Sequence, residues 1–174
     1  AKCPFSWISE ITNAGLNISY ANELFVTKAK KNTGWVVNGE DGKIGISPAN
    51  ELPPDKSKDA AAAAEAKPKH PVLHLAFDEL QHEISTVSLF YLKSYGKQWA
   101  HSRIRIAVYM RKGKDKEYEK LISHEMPGHH EKNATETYTH RMKLHGVEKG
   151  MGLQVEIELI GGKRFKIMGL GVCQ

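Results

Sequence analysis

"RIRIAVYM" (103–110) is the stretch whose reading decides the fold. Ile104, Ile106, Val108 and Met110 fall on one side of an extended chain, and Arg103, Arg105, Ala107 and Tyr109 on the other. Successive side chains of a strand point to opposite faces, so a period of two marks a strand with one face buried and one face wet. An amphipathic helix would instead repeat its apolar residues at three- and four-residue intervals. "GLQVEIELI" (152–160) has the same pattern, with Leu153, Val155, Ile157 and Leu159 against Gln154, Glu156 and Glu158.

Working outward, the same signal recurs. "PVLHLAF" (71–77) and "TVSLFYLKSY" (86–95) are rich in β-branched and aromatic residues and read as more fully buried strands. In "YTHRMKL" (138–144), Tyr138, His140 and Met142 alternate with Thr139, Arg141 and Lys143, and "KRFKIMGLGV" (163–172) makes a last strand. Gly161-Gly162 reads as a hairpin turn, "GVEKGMG" (146–152) as a longer one, and "NGEDGK" (38–43) separates "TGWVV" from "IGIS". Seven to nine strands result, with no convincing long helix, although "SWISEITNAGLN" (6–17) has room for one helical turn. Short strands joined by Gly-rich turns, without a helix layer, predict an all-β antiparallel β-sandwich or jelly roll.

One domain over 1–174 is expected, with an N-terminal connector over 1–32. "ELPPDKSKDAAAAAEAKPKHP" (51–71) differs in kind: prolines, five consecutive alanines and many charges suit an exposed Ala-rich loop insertion between strands. The chain has 174 residues, 40% of them hydrophobic and 26% charged, and a formal charge of +5. No run approaches a membrane span of about 20 apolar residues. Lys and Arg are scattered, with local density at "MRKGKDKEYEK" and "KPKH", so a nucleic-acid partner is not expected. No signal peptide is evident, and the start "AKCPFSWISE" fits a processed mature protein or an excised fragment.

The two cysteines, Cys3 and Cys173, stand at opposite ends of the chain, which a sandwich can bring together. Asn17-Ile-Ser19 and Asn133-Ala-Thr135 fit the N-glycosylation pattern. Together they predict a disulfide, glycans on Asn17 and Asn133, and a secreted or cell-surface location; the alternative is two unrelated thiols.

Three pieces carry a resemblance: "TGWVVNGEDGKIGISPANEL", "VSLFYLKSYGKQWAHSRIRIAV" and "YTHRMKLHGVEKGMGLQVEIELIGGKRFKIMGLGVC". They resemble a galactose-binding-like β-sandwich (jelly-roll) domain of the kind that follows GDSL-type esterase domains in extracellular eukaryotic proteins. "YLKSYG" and "KRFKIMGLGVC" are its most specific parts, and "CPFSWIS" looks like the connector preceding such sandwiches. "KQWAHSRI" departs from the pattern, which often has a small residue near Trp99. The resemblance implies a fold and an extracellular setting. It implies no catalytic residue, since the esterase nucleophile belongs to a different domain, and neither G-x-S-x-G nor a GDS-type serine block occurs here.

Candidate sites divide in two. In "YGKQWAH" (95–101), Tyr95 and Trp99 could stack on a sugar ring while Lys97, Gln98, His101 and Arg103 bond its hydroxyls; alternatively Trp99 packs back onto the sandwich. In "HEMPGHHEKNATETYTH" (124–140), His124, His129 and His130 offer metal-ligand chemistry, or only a solvated polar loop running from 124 to about 136. The spacing is not that of a metal-binding helix, and Pro127-Gly128 would break one. His140 reads as a hydrogen-bonded core histidine, Trp7 and Trp35 as anchors, and Glu156 with Glu158 as a solvated pair of acids rather than a glycosidase dyad. The function expected is a non-catalytic binding module without a cofactor, with carbohydrate or another extracellular protein as partner. The alternatives are a structural glycoprotein subunit of an extracellular assembly, including a homo-oligomer, and a metal-dependent hydrolase or nuclease using the 124–140 segment.

Overall fold

A computed structural model of the chain describes residues 2–8, 23, 25, 27–39, 43–49 and 70–174. Asn17, most of the connector and the Ala-rich segment lie outside the described residues. Among the described residues there are eleven strands: β1 (Phe5–Ile8), β2 (Ala29–Thr33), β3 (Trp35–Asn38), β4 (Gly45–Pro48), β5 (Val72–Phe77), β6 (Ile84–Lys93), β7 (Arg103–Arg111), β8 (Glu119–Pro127), β9 (Glu136–Val147), β10 (Gly152–Gly161) and β11 (Lys166–Cys173). They form two sheets. One has the order β3-β4-β11-β6-β9, with β1 also pairing β11; the other has the order β2-β5-β10-β7-β8. Every pair of strands is antiparallel. This is the expected antiparallel β-sandwich.

The alternating residues make the core. Ile104, Ile106, Val108, Leu153 and Val155 from one sheet meet Val87, Leu89, Met142, Ile167 and Val172 from the other, all at 0–1% exposure. Each such side chain contributes about 1.5–3 kcal/mol by leaving water. Trp7 and Trp35 are buried anchors, as the sequence predicts. Trp35 begins β3 immediately after Gly34, whose φ of 102° takes the chain from the five-stranded to the six-stranded sheet. The Asn32 side chain holds that corner: its Nδ2 donates to the Trp35 carbonyl at 2.7 Å and its Oδ1 accepts from Trp35 N–H at 2.9 Å.

The strand at 119–127 corrects the expected loop over 124–136. Its inward positions are Ile122, His124 and Met126, and the histidine breaks the apolar alternation. Pro127 is tolerated because it ends a strand at the edge of its sheet. Only the segment after Pro127 is a loop.

β1 and β4 share one edge of β11, β4 at Ile167 and β1 along Gly169–Val172. That placement sets the chain's first and last strands side by side, and a disulfide joins Cys3 to Cys173. At the opposite end of β6, three connections are tied together. Ser94 N–H donates to Gly128 O (3.0 Å), His130 N–H to Ser94 O (3.0 Å) and Gly128 N–H to Ser102 O (2.8 Å). Ser102 Oγ donates to the Arg164 carbonyl. Gly128 is required there, because a Cβ would run into the Ser102 side chain and stand 2.9 Å from Phe165.

Candidate functional site

From Thr86 onward the side chains of β6 alternate. Val87, Leu89 and Tyr91 face the core; Thr86, Ser88, Phe90 and Leu92 face away from it. Register carries this outer face across the sheet: Leu92 lies opposite Lys166 on β11 and Thr137 on β9. Beyond Lys93 the chain turns at Gly96 (φ 84°), and the short turn 96–102 is closed by Trp99 N–H to Gly96 O (3.0 Å) and Ser102 N–H to Trp99 O (3.0 Å). A hollow of about 260 Å³ results. Asn38, Lys43 and Ser47 line one side, Leu92, Ser94 and Thr135 another, and Tyr95, Gln98, Trp99, Arg164 and Lys166 complete it.

Its chemistry is polar, with aromatic and aliphatic patches. Tyr95 is 41% exposed at the rim, whereas Trp99 is 8% exposed and belongs to the wall. Trp99 therefore packs onto the sandwich and cannot offer a free ring face. Ser94 Oγ and Thr135 Oγ1 share a hydrogen bond at 2.7 Å. Asn38 Oδ1 and Ser47 Oγ are buried and, among the described residues, have no hydrogen-bond partner. A buried polar atom left unbonded costs about 1–3 kcal/mol. Among the described residues no carboxylate lines the hollow. Gly45 lets the Lys166 stem lie flat: a Cβ there would stand 3.0 Å from both Cγ and Cε of that lysine.

Of the residues the sequence singles out, Tyr95, Gln98 and Trp99 line the hollow; Lys97, His101 and Arg103 do not. Arg103 belongs to the other sheet, 3.7 Å from Glu125. Asn38, Lys43, Ser47, Leu92, Ser94, Thr135, Arg164 and Lys166 carry no recognisable motif and are brought in by strand register and by the connections between strands.

The histidine segment is not one site. His124 Nδ1 lies 2.6 Å from His140 Nε2, the two rings meeting edge to face where the outer strands β8 and β9 close the sandwich. Burial lowers the His140 pKa below its ordinary value, and the neighbouring His124 lowers it further. His130 is held elsewhere: its Nε2 is 3.1 Å from the Lys93 carbonyl and its Nδ1 accepts from Lys132 N–H at 3.1 Å. His129 bridges to Ser94 through its backbone. The alternative metal set His124, His129 and His130 is therefore not gathered at one point, since His124 lies on β8 against His140 while His129 and His130 lie beside Ser94 and Lys93. Among the described residues no three His, Cys, Asp or Glu side chains are placed to hold a metal ion. Lys132 and Tyr138 both donate to Glu136, at 2.9 and 2.7 Å, which lowers the pKa of that carboxyl and fixes the end of the loop beside Thr135. Asn133 is exposed on this loop. Glu156 and Glu158 lie on the open face of the five-stranded sheet, engaged with His74 (2.7 Å) and Arg105 (3.3 Å) rather than facing a cleft.

No protein-family model and no curated protein matches the chain. Among solved structures it is similar to TmCBM27, a carbohydrate-binding module with specific mannan recognition, at 10% identity over 98% of this chain and 96% of that one, with a TM-score of 0.49. It is also similar to a family 35 carbohydrate-binding module from an environmental isolate (11% identity, 97% and 93% covered, TM-score 0.47). A third is CBM28, specific for non-crystalline cellulose (10% identity, 80% and 78% covered, TM-score 0.45). At 10–11% identity no binding residue passes from those modules to this chain.

Proposed function

We propose that the chain is a non-catalytic carbohydrate-binding β-sandwich of a secreted or cell-surface protein, and that the hollow beside Tyr95 is its binding site. One observation carries the reading: a hollow of sugar size has the exposed ring of Tyr95 at its rim and the hydroxyls of Ser94 and Thr135 in its wall. Sugar hydroxyls both donate and accept, and so meet such groups. The apolar face of a pyranose suits an aromatic ring at the edge. The outward setting is supported by the Cys3–Cys173 bridge and by exposure of Asn133.

A glycan array with the wild-type protein and Tyr95→Ala tests the reading. Binding of at least one glycan class is expected, with affinity falling about three- to tenfold in the variant, the worth of one aromatic contact. Absence of binding to every glycan by the wild type would overturn it.

A further inference from the structure

The outer strands β8 and β9 belong to different sheets and share no ladder. Among the described residues, the only hydrogen bond, ion pair or ring contact between their side chains is that of His124 Nδ1 with His140 Nε2, at 2.6 Å. Both histidines fill inward positions, opposite Ile106 of β7 and Leu89 of β6. Ile122 and Met126 flank His124 along β8, and Tyr138 and Met142 flank His140 along β9. Of these neighbours only Tyr138 titrates, and its hydroxyl donates to Glu136 at 2.7 Å. Glu136 is also held by Lys132, and Glu125, on the outer side of β8, by Arg103 and Arg105. Among the described residues no carboxylate lies within ion-pair distance of either imidazole of the pair.

Counting protons shows what this contact can do. In two neutral rings one facing nitrogen donates and the other accepts. A first added proton leaves an imidazolium donating to a neutral ring, and the contact holds. A second leaves hydrogens on both facing nitrogens, no acceptor, and two like charges in a half-buried place. Burial and the neighbouring His124 both lower the His140 pKa, so that state is reached only below the ordinary histidine value of about 6.5. Both strands of the pair end in the wall of the Tyr95 hollow. β8 runs on into Gly128, whose N–H donates to Ser102 O at 2.8 Å and whose carbonyl accepts from Ser94 N–H at 3.0 Å. β9 begins beside Thr135, whose Oγ1 is bonded to Ser94 Oγ at 2.7 Å. Ser94 and Thr135 both line the hollow.

We infer that the His124–His140 contact is an acid-sensitive latch on the Tyr95 hollow. It is closed while the pair carries at most one extra proton. With two, β8 and β9 part at this point and the Ser94–Thr135 side of the wall loosens, so that sugar is held at neutral pH and released in acid. The inference rests on the reading of the Tyr95 hollow as a sugar site and adds its regulation.

Amide hydrogen exchange, corrected for the intrinsic effect of pH on exchange rates, tests the latch without any ligand. Wild type, His124→Gln and His140→Gln are compared at about pH 7.5 and about pH 5, on either side of the ordinary histidine value. A glutamine amide can still bond the remaining imidazole but takes no charge, so each variant keeps the contact and forbids the doubly charged state. In the wild type, protection of β8, β9 and the loop between them should fall about tenfold or more in acid, while β5 and β10 stay protected. Either variant should lose that local response. Affinity for the glycan selected on the array should fall about tenfold over the same range in the wild type and change little in the variants. Equal acid responses in all three proteins, or loss of protection spread evenly over both sheets, would overturn the latch and leave the sugar site standing. Local opening with glycan affinity unchanged would overturn its coupling to the hollow. A wild type that binds no glycan at neutral pH would overturn the sugar reading, and exchange alone would then decide whether the latch exists.

Discussion

Two serines of the Tyr95 hollow should respond to the same substitution with opposite signs. Ser47 is 1% exposed, and its Oγ has no partner among the described residues. Ser94 is 5% exposed, and its Oγ is bonded to Thr135 Oγ1 at 2.7 Å. Ser47→Ala removes an unbonded buried hydroxyl, whose desolvation costs about 1–3 kcal/mol. Allowing for lost van der Waals contact, the free protein should gain about 1 kcal/mol, which raises Tm by about 2–4 °C for a chain of this size. Ser94→Ala breaks a made bond and should cost about 0.5–1.5 kcal/mol, lowering Tm. Thermal unfolding followed by circular dichroism gives the sign directly, and a glycan titration of the same samples gives the other half. Ser47→Ala should bind as the wild type does although it is more stable, because its hydroxyl is buried beneath the wall of the hollow. If both variants shift Tm the same way, the reasoning that separates bonded from unbonded buried hydroxyls is wrong.

Further expectations concern the frame around the site. The Cys3–Cys173 bridge closes a separation of 170 residues, for which the chain-entropy model gives about 5 kcal/mol. Cys3→Ala/Cys173→Ala should therefore lower stability by several kcal/mol in denaturant titration, and a loss under about 1 kcal/mol would show that β1 does not need its tether. His140 has its pKa depressed in the fold by burial and by His124, so the unfolded chain takes the proton first. Its contribution is complete above the unfolded value of about 6.5 and is lost as pH falls below that value through the folded pKa. The groups opposite it in register are apolar Leu89 on β6 and, for its partner His124, Ile106 on β7. The urea midpoint should fall between about pH 7.5 and 5, less steeply in His140→Gln; equal slopes for the two proteins would exclude this histidine as the cause.

How far the sequence reveals the molecule depends on how far each feature is local. β7 and β10 are legible because Ile104 to Met110 and Leu153 to Leu159 alternate without interruption. β2, "AKKNT", carries no apolar signal and exists by pairing with β5 at a sheet edge. In β8 the inward slot at 124 is filled by a histidine that is satisfied by His140 from the other sheet, which no local pattern announces. The site is less legible for the same reason. Its wall comes from β3, β4, β6, β11 and the connections after β3, β6, β8 and β10, so residues as distant as Asn38, Thr135 and Arg164 meet only through strand order. Tyr95 and Trp99 are visible as aromatics in a turn, but their identity does not say which ring faces water. The 96–102 turn decides that by folding Trp99 inward and leaving Tyr95 at the rim.

Amide chemical-shift mapping during titration with the glycan selected on the array tests the central claim most directly. A ligand in the hollow should shift Asn38, Ser47, Ser94, Tyr95 and Gln98 first, while Arg105, Glu156 and Glu158 on the opposite sheet stay unmoved. Shifts confined to that opposite face, or to the His124–His140 contact, would contradict the assignment of the site.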